Sequence, residues 1–199
     1  MKLKIKTILT PSFFLLIFLG MISLSFNNFL QKDDSKIYWS KDKKVTWNDF
    51  KGKPIKSSSD AAITDSGFEL QSSNKGQEHI LVFELHTYFI KNKSWVKPDE
   101  KTENLLKHEQ GHFDISEIFT RKIHKSIMEE KFTVKNFNKK LQELNVRNTK
   151  ETSKYQELYD KETEHSKNEK KQTDWNEKIA KELKDLEQYS ESRFEVEVK

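Results

Sequence analysis

The chain has 199 residues, which suits one domain with a single modest core and is short for several. It contains no cysteine, and this excludes both a disulfide framework and a lipid-modified N-terminal cysteine. The net charge is only +4, with no basic stripe interleaved with aromatic residues, so we expect no nucleic-acid partner. Hydrophobic and charged residues each make up 34% of the chain, which predicts a thin core under a heavily solvated surface.

The first 30 residues have the layout of a secretory signal, because lysines within the first six positions precede an uncharged apolar run over residues 13–24. Ser23-Leu24-Ser25 offers a small-x-small cleavage site. If it is not cut, the uncharged stretch from Ile8 to Leu30 is long enough to anchor the chain in a bilayer. We predict a signal peptide or N-terminal membrane anchor over residues 1–30, and export to the periplasm or the extracellular space. Membrane contact is expected only through this segment, if it stays uncleaved.

The region from residue 36 to about residue 94 predicts short β-strands. The clearest strand covers residues 79–90, which are rich in β-branched and aromatic side chains and alternate between apolar and polar residues. In zinc peptidases an edge strand beside the active-site helix pairs with an extended substrate, and we consider this strand for that role. We interpret its His79 and His86 as half-exposed sheet residues and not as metal ligands.

Beyond residue 97, charged segments with helical periodicity predict helices. Asp99 is the expected N-cap of a helix that runs to about Lys131, and Thr133 the expected cap of a second helix. Residues 145–153 read as a loop, followed by a C-terminal helix with a stripe from Tyr155 to Leu186 that turns polar in its middle. The predicted fold class is α+β, with an N-terminal antiparallel β-sheet packed on a long helix and further helices after it.

The first long helix carries His108-Glu109-Gln110-Gly111-His112, an H-E-x-x-H sequence. Histidines four residues apart lie on one helical face and can bind one metal ion, which for this motif is Zn²⁺. Glu109 is offset by roughly 100°, beside the metal, where its carboxylate can take a proton from bound water. Gly111 predicts the close approach of another backbone to this helix. The same face continues into an apolar stripe and is therefore the inward face; its residues are Ile115, Phe119, Ile123 and Ile127.

A catalytic zinc site needs a third protein ligand besides His108 and His112. His165 lies at the middle of the polar interruption in the C-terminal helix, and we assign it as that ligand. Asp160 and Glu162, upstream on the same predicted helix, stay open as alternatives.

Three further residues near the motif have predicted roles. Tyr159, about one and a half turns before His165, is the candidate hydroxyl donor to a developing oxyanion. Asp114 either orients a ligand histidine or forms an ion pair with Arg121, seven positions on, and we prefer the ion pair.

Several blocks of the chain are distinctive: Trp47-x-Asp49-Phe50-x-Gly52, Ser94-Trp95-Val96, the run from Leu105 to Ile115 followed by Arg121, and Tyr159-Asp160-x-x-Thr163-x-His165 with Gln172 and Trp175. These blocks resemble a family of exported bacterial proteins that is catalogued as a domain of unknown function and often described as zinc-dependent proteases. The resemblance covers most of the chain from about Trp39 to Leu183 and implies a zincin-like fold. It also gives weight to His165 as a ligand. Position 166 is serine here, where we expect glycine in the family, and this difference bears on the local backbone conformation more than on metal binding.

The resulting hypothesis is a zincin-like metallopeptidase domain over residues 31–199 that hydrolyses peptide or protein substrates outside the cytoplasm. Glu109 would act as general base and Tyr159 as hydroxyl donor, with Zn²⁺ bound by His108, His112 and His165. Two alternatives remain. One is an exported zinc-binding protein without catalysis, and the other is a helical protein-interaction module over residues 137–186.

Overall fold

The structure is a computed structural model that describes residues 34–74 and 79–199. The predicted signal peptide or anchor over residues 1–30 lies outside these residues. Within the described ranges, none of the helices has the length and apolar character needed to cross a membrane. The fold is α+β, as predicted, with antiparallel sheets and three α-helices. The strands are β1 Lys36–Tyr38, β2 Ala62–Ile63, β3 Ser66–Asn74, β4 Ile80–Ile90, β5 Trp95–Val96 and β6 Arg193–Glu197, and the helices are α1 Glu103–Glu129, α2 Phe137–Thr163 and α3 Glu169–Asp185.

Strand β4 is the centre of the main sheet. It pairs along one side with β3, and on the other side with β1 near Ile90 and with β6 near Ile80. The strand predicted over residues 79–90 is therefore confirmed, but both of its sides are paired and it cannot be the edge that receives a substrate. Among the described residues β3 pairs only with β4, and β3 is thus the long strand with an open side. A second, two-stranded sheet joins β2 to β5.

The N-cap of α1 lies three residues after the predicted one. Asp99 belongs to a separate 3₁₀ turn, Pro98–Glu100, and the true N-cap is Thr102, whose hydroxyl oxygen accepts from the Leu105 amide at 3.1 Å. The helix ends at Glu129, close to the predicted end at Lys131.

Helix α1 is buried on two sides, which explains its long apolar stripe. Toward the sheet, Phe113 packs near Phe89, and Ile123 and Ile127 pack with Phe83. Away from the sheet, a third apolar cluster joins α1 to α2 and α3; its buried members are Ile115, Ile118, Phe119, Tyr159, Trp175 and Ile179. The helix therefore lies between the sheet and a pair of helices, and its central turns are shielded from water.

Helix α2 runs unbroken through residues 145–153, so the loop predicted there is wrong. Leu144 and Asn148, one turn apart, are both buried, and this tertiary contact holds the polar interval in a helix that its sequence alone favours weakly. The N-cap position is Asn136 and not Thr133. The two residues instead bond to each other, since the Thr133 amide donates to Asn136 Oδ1 at 2.8 Å and the Asn136 amide donates to Thr133 Oγ1 at 3.2 Å.

The single C-terminal helix predicted from Tyr155 to Leu186 is two helices separated by a tight turn. Glu164, His165 and Ser166 all have left-handed backbones, with φ values of 51°, 52° and 72°. Each such residue costs about 1–2 kcal/mol when it has a side chain. Position 166, where we expected glycine in the family, is one of these three, and glycine would adopt its φ without that cost.

Candidate metal centre

His108 and His112 face one another on α1, as the motif predicts, with their Nε2 atoms 3.2 Å apart. Asp160 on α2 brings its Oδ1 to 3.1 Å from His108 Nε2 and 3.0 Å from His112 Nε2. In a tetrahedral zinc site with bonds of about 2.0–2.2 Å, the donor atoms lie about 3.3–3.6 Å from one another. The three donors therefore form a triangle slightly smaller than three vertices of such a site, and a modest expansion would accommodate the ion.

The structure brings His165 and Asp160 to the histidine pair but leaves Glu162 outside. His165 Nδ1 lies 3.6 Å from Asp160 Oδ1, and donor atoms of His108, Asp160 and His165 all lie within 4.8 Å of one another. The Glu162 carboxylate instead accepts a hydrogen bond from Trp175 Nε1 at 2.8 Å. The alternatives for the third ligand thus reduce to two neighbouring side chains.

The other candidate histidines stay in the sheet region. His86 lies on β4 with its ring edge-on to Tyr38, and His79 is exposed at the turn before β4. Within the described part of the chain, the group with metal-ligand spacing contains neither of them.

Gln156 of α2 fixes which ring nitrogen of His112 carries the proton. Its Nε2 donates to the His112 carbonyl oxygen at 2.9 Å, so the opposite end of the amide, Oε1, faces His112 Nδ1 at 2.6 Å. An amide oxygen can only accept, and His112 Nδ1 must therefore carry a proton. The lone pair of the neutral ring is left on Nε2, facing the donor triangle.

Gln172 of α3 likewise fixes which ring nitrogen of His108 carries the proton. The Tyr159 hydroxyl donates to the His108 carbonyl oxygen at 3.1 Å, so it must accept from Gln172 Nε2, 2.7 Å away. Gln172 Oε1 then accepts from His108 Nδ1 at 3.0 Å. Hydrogen bonds to the ring nitrogen opposite the metal are the usual means of orienting a ligand histidine.

With both Nδ1 atoms protonated, two Nε2 lone pairs and one carboxylate oxygen converge on a single point, which requires a cation. In the metal-free protein a proton on His112 can be this cation. Burial alone would lower the pKa of His112, but the hydrogen bond and charge of Asp160, helped by Glu109 and Gln156, raise it to about 9. For Asp160, burial alone would raise the pKa, and its hydrogen bonds to His108 and His112 instead hold it well below the ordinary value. A divalent metal would take the place of that proton.

We expect the metal-free protein to lose stability between about pH 6.5 and pH 9. Because the pKa of His112 rises from 6.5 to about 9 on folding, the protonated ring contributes stability that is fully present below pH 6.5 and is lost as the pH passes through about 9. The loss should be on the order of 3 kcal/mol. Urea unfolding of chelator-treated protein across this range measures it. His112→Gln should flatten the profile, and an equally steep profile in that variant would contradict the assignment.

Glu109 is buried on the side of the motif that faces the second sheet. Its side chain is almost fully shielded, and Thr64, just after β2, donates its hydroxyl to Glu109 Oε2 at 2.7 Å. Among the described residues, Oε1 has no hydrogen-bond partner. One carboxylate oxygen is thus anchored and the other is left to act as a proton acceptor. Thr64 was not found from the sequence, because a contact across 45 positions leaves no local signal.

The close approach expected at Gly111 is made by a tyrosine side chain, so the prediction of a second backbone there is wrong. A Cβ at Gly111 would meet the Tyr159 ring, with Cζ only 2.8 Å away. The Tyr159 ring is fully buried and stacks on His108 at 4.6 Å between centroids. Burial raises the pKa of its hydroxyl above the ordinary value. These contacts support a positioning role for Tyr159, and its role as oxyanion donor stays a prediction.

The preferred ion pair between Asp114 and Arg121 is not formed. Asp114 Oδ1 accepts from Trp39 Nε1 at 2.7 Å, while Arg121 Nε donates to Glu117 at 2.7 Å. Seven helical positions separate the predicted partners by about 10 Å along the axis, whereas Glu117 lies at the favourable i,i+4 spacing. Asp114 does not bond to a ligand histidine either; its remaining partners are Gln110 and Lys44.

Residues 91–166 match the model of a family described as "Bacterial protein of unknown function (DUF922)". The matched segment contains α1, α2 and all four candidate donors, and it ends before α3. No characterised protein and no solved structure matches the chain. Over this segment the chain is therefore similar to a bacterial domain of unknown function.

Proposed function

We propose that the protein is a zinc-dependent metallopeptidase with a zincin-like active site. The observation that carries this proposal is the triangle formed by His108 Nε2, His112 Nε2 and Asp160 Oδ1, whose edges are 3.0–3.2 Å. Two imidazole nitrogens and a carboxylate oxygen form a donor set suited to Zn²⁺. The predicted signal peptide or anchor over residues 1–30 supports a location outside the cytoplasm in this proposal.

The metal would be held by His108 and His112 with Asp160 or His165 as the third ligand. When bound, zinc supplies a water whose pKa is lowered to about 7 and polarises a substrate carbonyl. Gln156 and Gln172 hold a proton on each Nδ1, so that both rings are oriented with Nε2 toward the metal.

Glu109 would accept the proton of the attacking water. Its anchored oxygen, bonded to Thr64 at 2.7 Å, holds the carboxylate in one orientation and leaves Oε1 to act as the base. Burial of the side chain strengthens its electrostatic interactions with neighbouring charges. The Tyr159 hydroxyl, bonded to the His108 carbonyl oxygen, supports the helix from behind the histidines.

An extended peptide is the substrate that suits the surroundings of the motif. The segment leading into β3 lies against α1, since Thr64 bonds Glu109 at 2.7 Å and the Ser66 and Ser116 hydroxyls are 2.8 Å apart. Among the described residues the far side of β3 is unpaired. A peptide that adds to this side by backbone hydrogen bonding would pass close to Glu109.

Metal content of the full-length chain tests the proposal. We expect about one zinc per native chain, loss of the metal in His112→Ala, and retention in His79→Ala, an exposed histidine outside the cluster. Cleavage of a mixed peptide library should follow metal content across the three proteins. A native chain that takes up no zinc when equilibrated with it would contradict the proposal.

A zinc-binding protein without catalysis remains a second candidate, because His165 brings a further donor close to His108 and Asp160, and closed four-ligand sites are structural. The helical interaction module has lost support. The apolar residues of α2 and α3 that such a module would present are packed against α1, as Tyr159, Trp175 and Ile179 are all buried.

A further inference from the structure

We propose that His165 is a displaceable fourth ligand, which closes the metal centre in the resting protein and leaves it when substrate binds. This inference rests on the proposed function, because it assigns a regulatory role within the same zinc site. His108, His112 and Asp160 would be the permanent ligands.

The permanent set is complete without His165. Three donor atoms already lie 3.0–3.2 Å from one another, while His165 Nδ1 is farther out, 3.6 Å from Asp160 Oδ1. The side chain of His165 is also more exposed to solvent than those of the two other histidines. The exposed fraction is 2% for His108 and 15% for His112, but 62% for His165. With Asp160 at 30%, the outer donor is thus the most exposed of the four to solvent and substrate.

The supports of the rings differ as well. His108 and His112 lie within α1, and each Nδ1 is held by a glutamine amide oxygen, Gln172 or Gln156. In the described part of the chain, the His165 ring is paired only with Asp160. Nothing besides that carboxylate fixes the ring in place, and it can rotate away without breaking another hydrogen bond.

The turn that carries His165 stores backbone strain. Glu164, His165 and Ser166 have successive left-handed φ values of 51°, 52° and 72°, a run that is unfavourable for residues with side chains. The strained turn is tied to its neighbours: the His165 amide donates to the Asp160 carbonyl at 3.0 Å, and Asn104 of α1 donates to the Ser166 carbonyl at 2.5 Å. Such strain persists only where surrounding contacts impose it, and it occurs typically at functional sites. In this protein the strained turn carries His165, the most loosely held of the four candidate donors, and keeps its ring near Asp160.

The number of ligands decides what the site can do. With four protein ligands a tetrahedral zinc site has no position for water, whereas with three it has one. Withdrawal of His165 would therefore convert a closed site into an open one.

X-ray absorption at the zinc edge of the full-length, zinc-loaded chain tests the proposal, because it counts imidazole ligands. We expect three imidazoles in the native protein and two in His165→Ala, which should still bind one zinc. Competition with a chelator should show zinc affinity weakened by roughly 10-fold in His165→Ala and by well over 100-fold in Asp160→Ala. Peptide cleavage should be faster in His165→Ala than in the native protein. Lys167→Ala, an exposed position in the same turn, should match the native protein in every readout.

Three results would overturn the proposal while leaving the metallopeptidase standing. These are two imidazoles in the native protein, loss of zinc from His165→Ala as complete as from Asp160→Ala, or a zinc-loaded His165→Ala that cleaves peptides no faster than the native protein. A native chain that binds no zinc would overturn both proposals together.

Discussion

Replacing Glu109 by glutamine is expected to lower kcat/KM for peptide cleavage by about 10²–10⁴-fold while zinc content stays at the native level. An amide has nearly the same shape and can still accept from Thr64, which donates to Glu109 Oε2 at 2.7 Å in the native protein, but it cannot accept a proton from water. The fold and the donor triangle should therefore persist. Kinetics on a cleavable peptide, with metal analysis of the same samples, measures both quantities.

Glu103→Gln is the matched control, because Glu103 is an exposed glutamate on the same helix whose only described ion pair is with Lys107. This variant should retain native activity and native zinc. If Glu109→Gln cleaved peptides at the native rate, Glu109 could not be the base. Zinc lost from Glu109→Gln would instead show that the carboxylate is needed to build the site.

Replacing Gly111 by alanine is expected to destabilise the protein by up to about 2 kcal/mol. Alanine improves helix propensity by about 1 kcal/mol, but forcing a methyl group into a packed interior costs about 1–3 kcal/mol. The cost should prevail here, since the new Cβ would lie 2.8 Å from Tyr159 Cζ and the ring cannot retreat from His108 and Trp175. Denaturant unfolding of metal-free protein measures the change without the contribution of ligand binding.

The double variant Gly111→Ala with Tyr159→Phe isolates the cause. Removing the hydroxyl opens space at the methyl group, so the pair should be more stable than the sum of the two single changes predicts. Additive effects would mean that the methyl group and the hydroxyl do not meet. A Gly111→Ala variant more stable than the native chain would show that helix propensity prevails over packing.

The elements that repeat a local pattern could be predicted from the sequence. Strand β4 follows from its β-branched and aromatic composition, and α1 follows from an apolar stripe that proved to be buried on both sides. The placement of His108 and His112 on one face needs only helical geometry, and their Nε2 atoms are 3.2 Å apart.

The features that depend on tertiary contacts could not be predicted. Strand β4 is central because β3 pairs with one of its sides and β1 and β6 with the other. No local sequence pattern reveals this order or shows which strand keeps an unpaired side. The turn at Glu164–Ser166 carries no glycine or proline, the usual signals of a break, so the sequence reads as one helix. The polar interruption in the stripe of the C-terminal helix pointed to this region, but it could not distinguish a proposed ligand such as Asp160 from a supporting residue such as Gln172.

The proposed metal centre would draw its three permanent ligands from α1 and α2 and its supporting hydrogen bonds from both α2 and α3. During synthesis from the N-terminus, the H-E-x-x-H sequence is therefore finished well before the centre can exist. An ion captured early would have only two histidines, and tight binding would arrive when α2 supplies Asp160 and α3 docks Gln172 behind His108. If the protein binds zinc as we propose, metal loading would be a late step of maturation, and the fraction of chains that carry an ion would report how many have completed their helices.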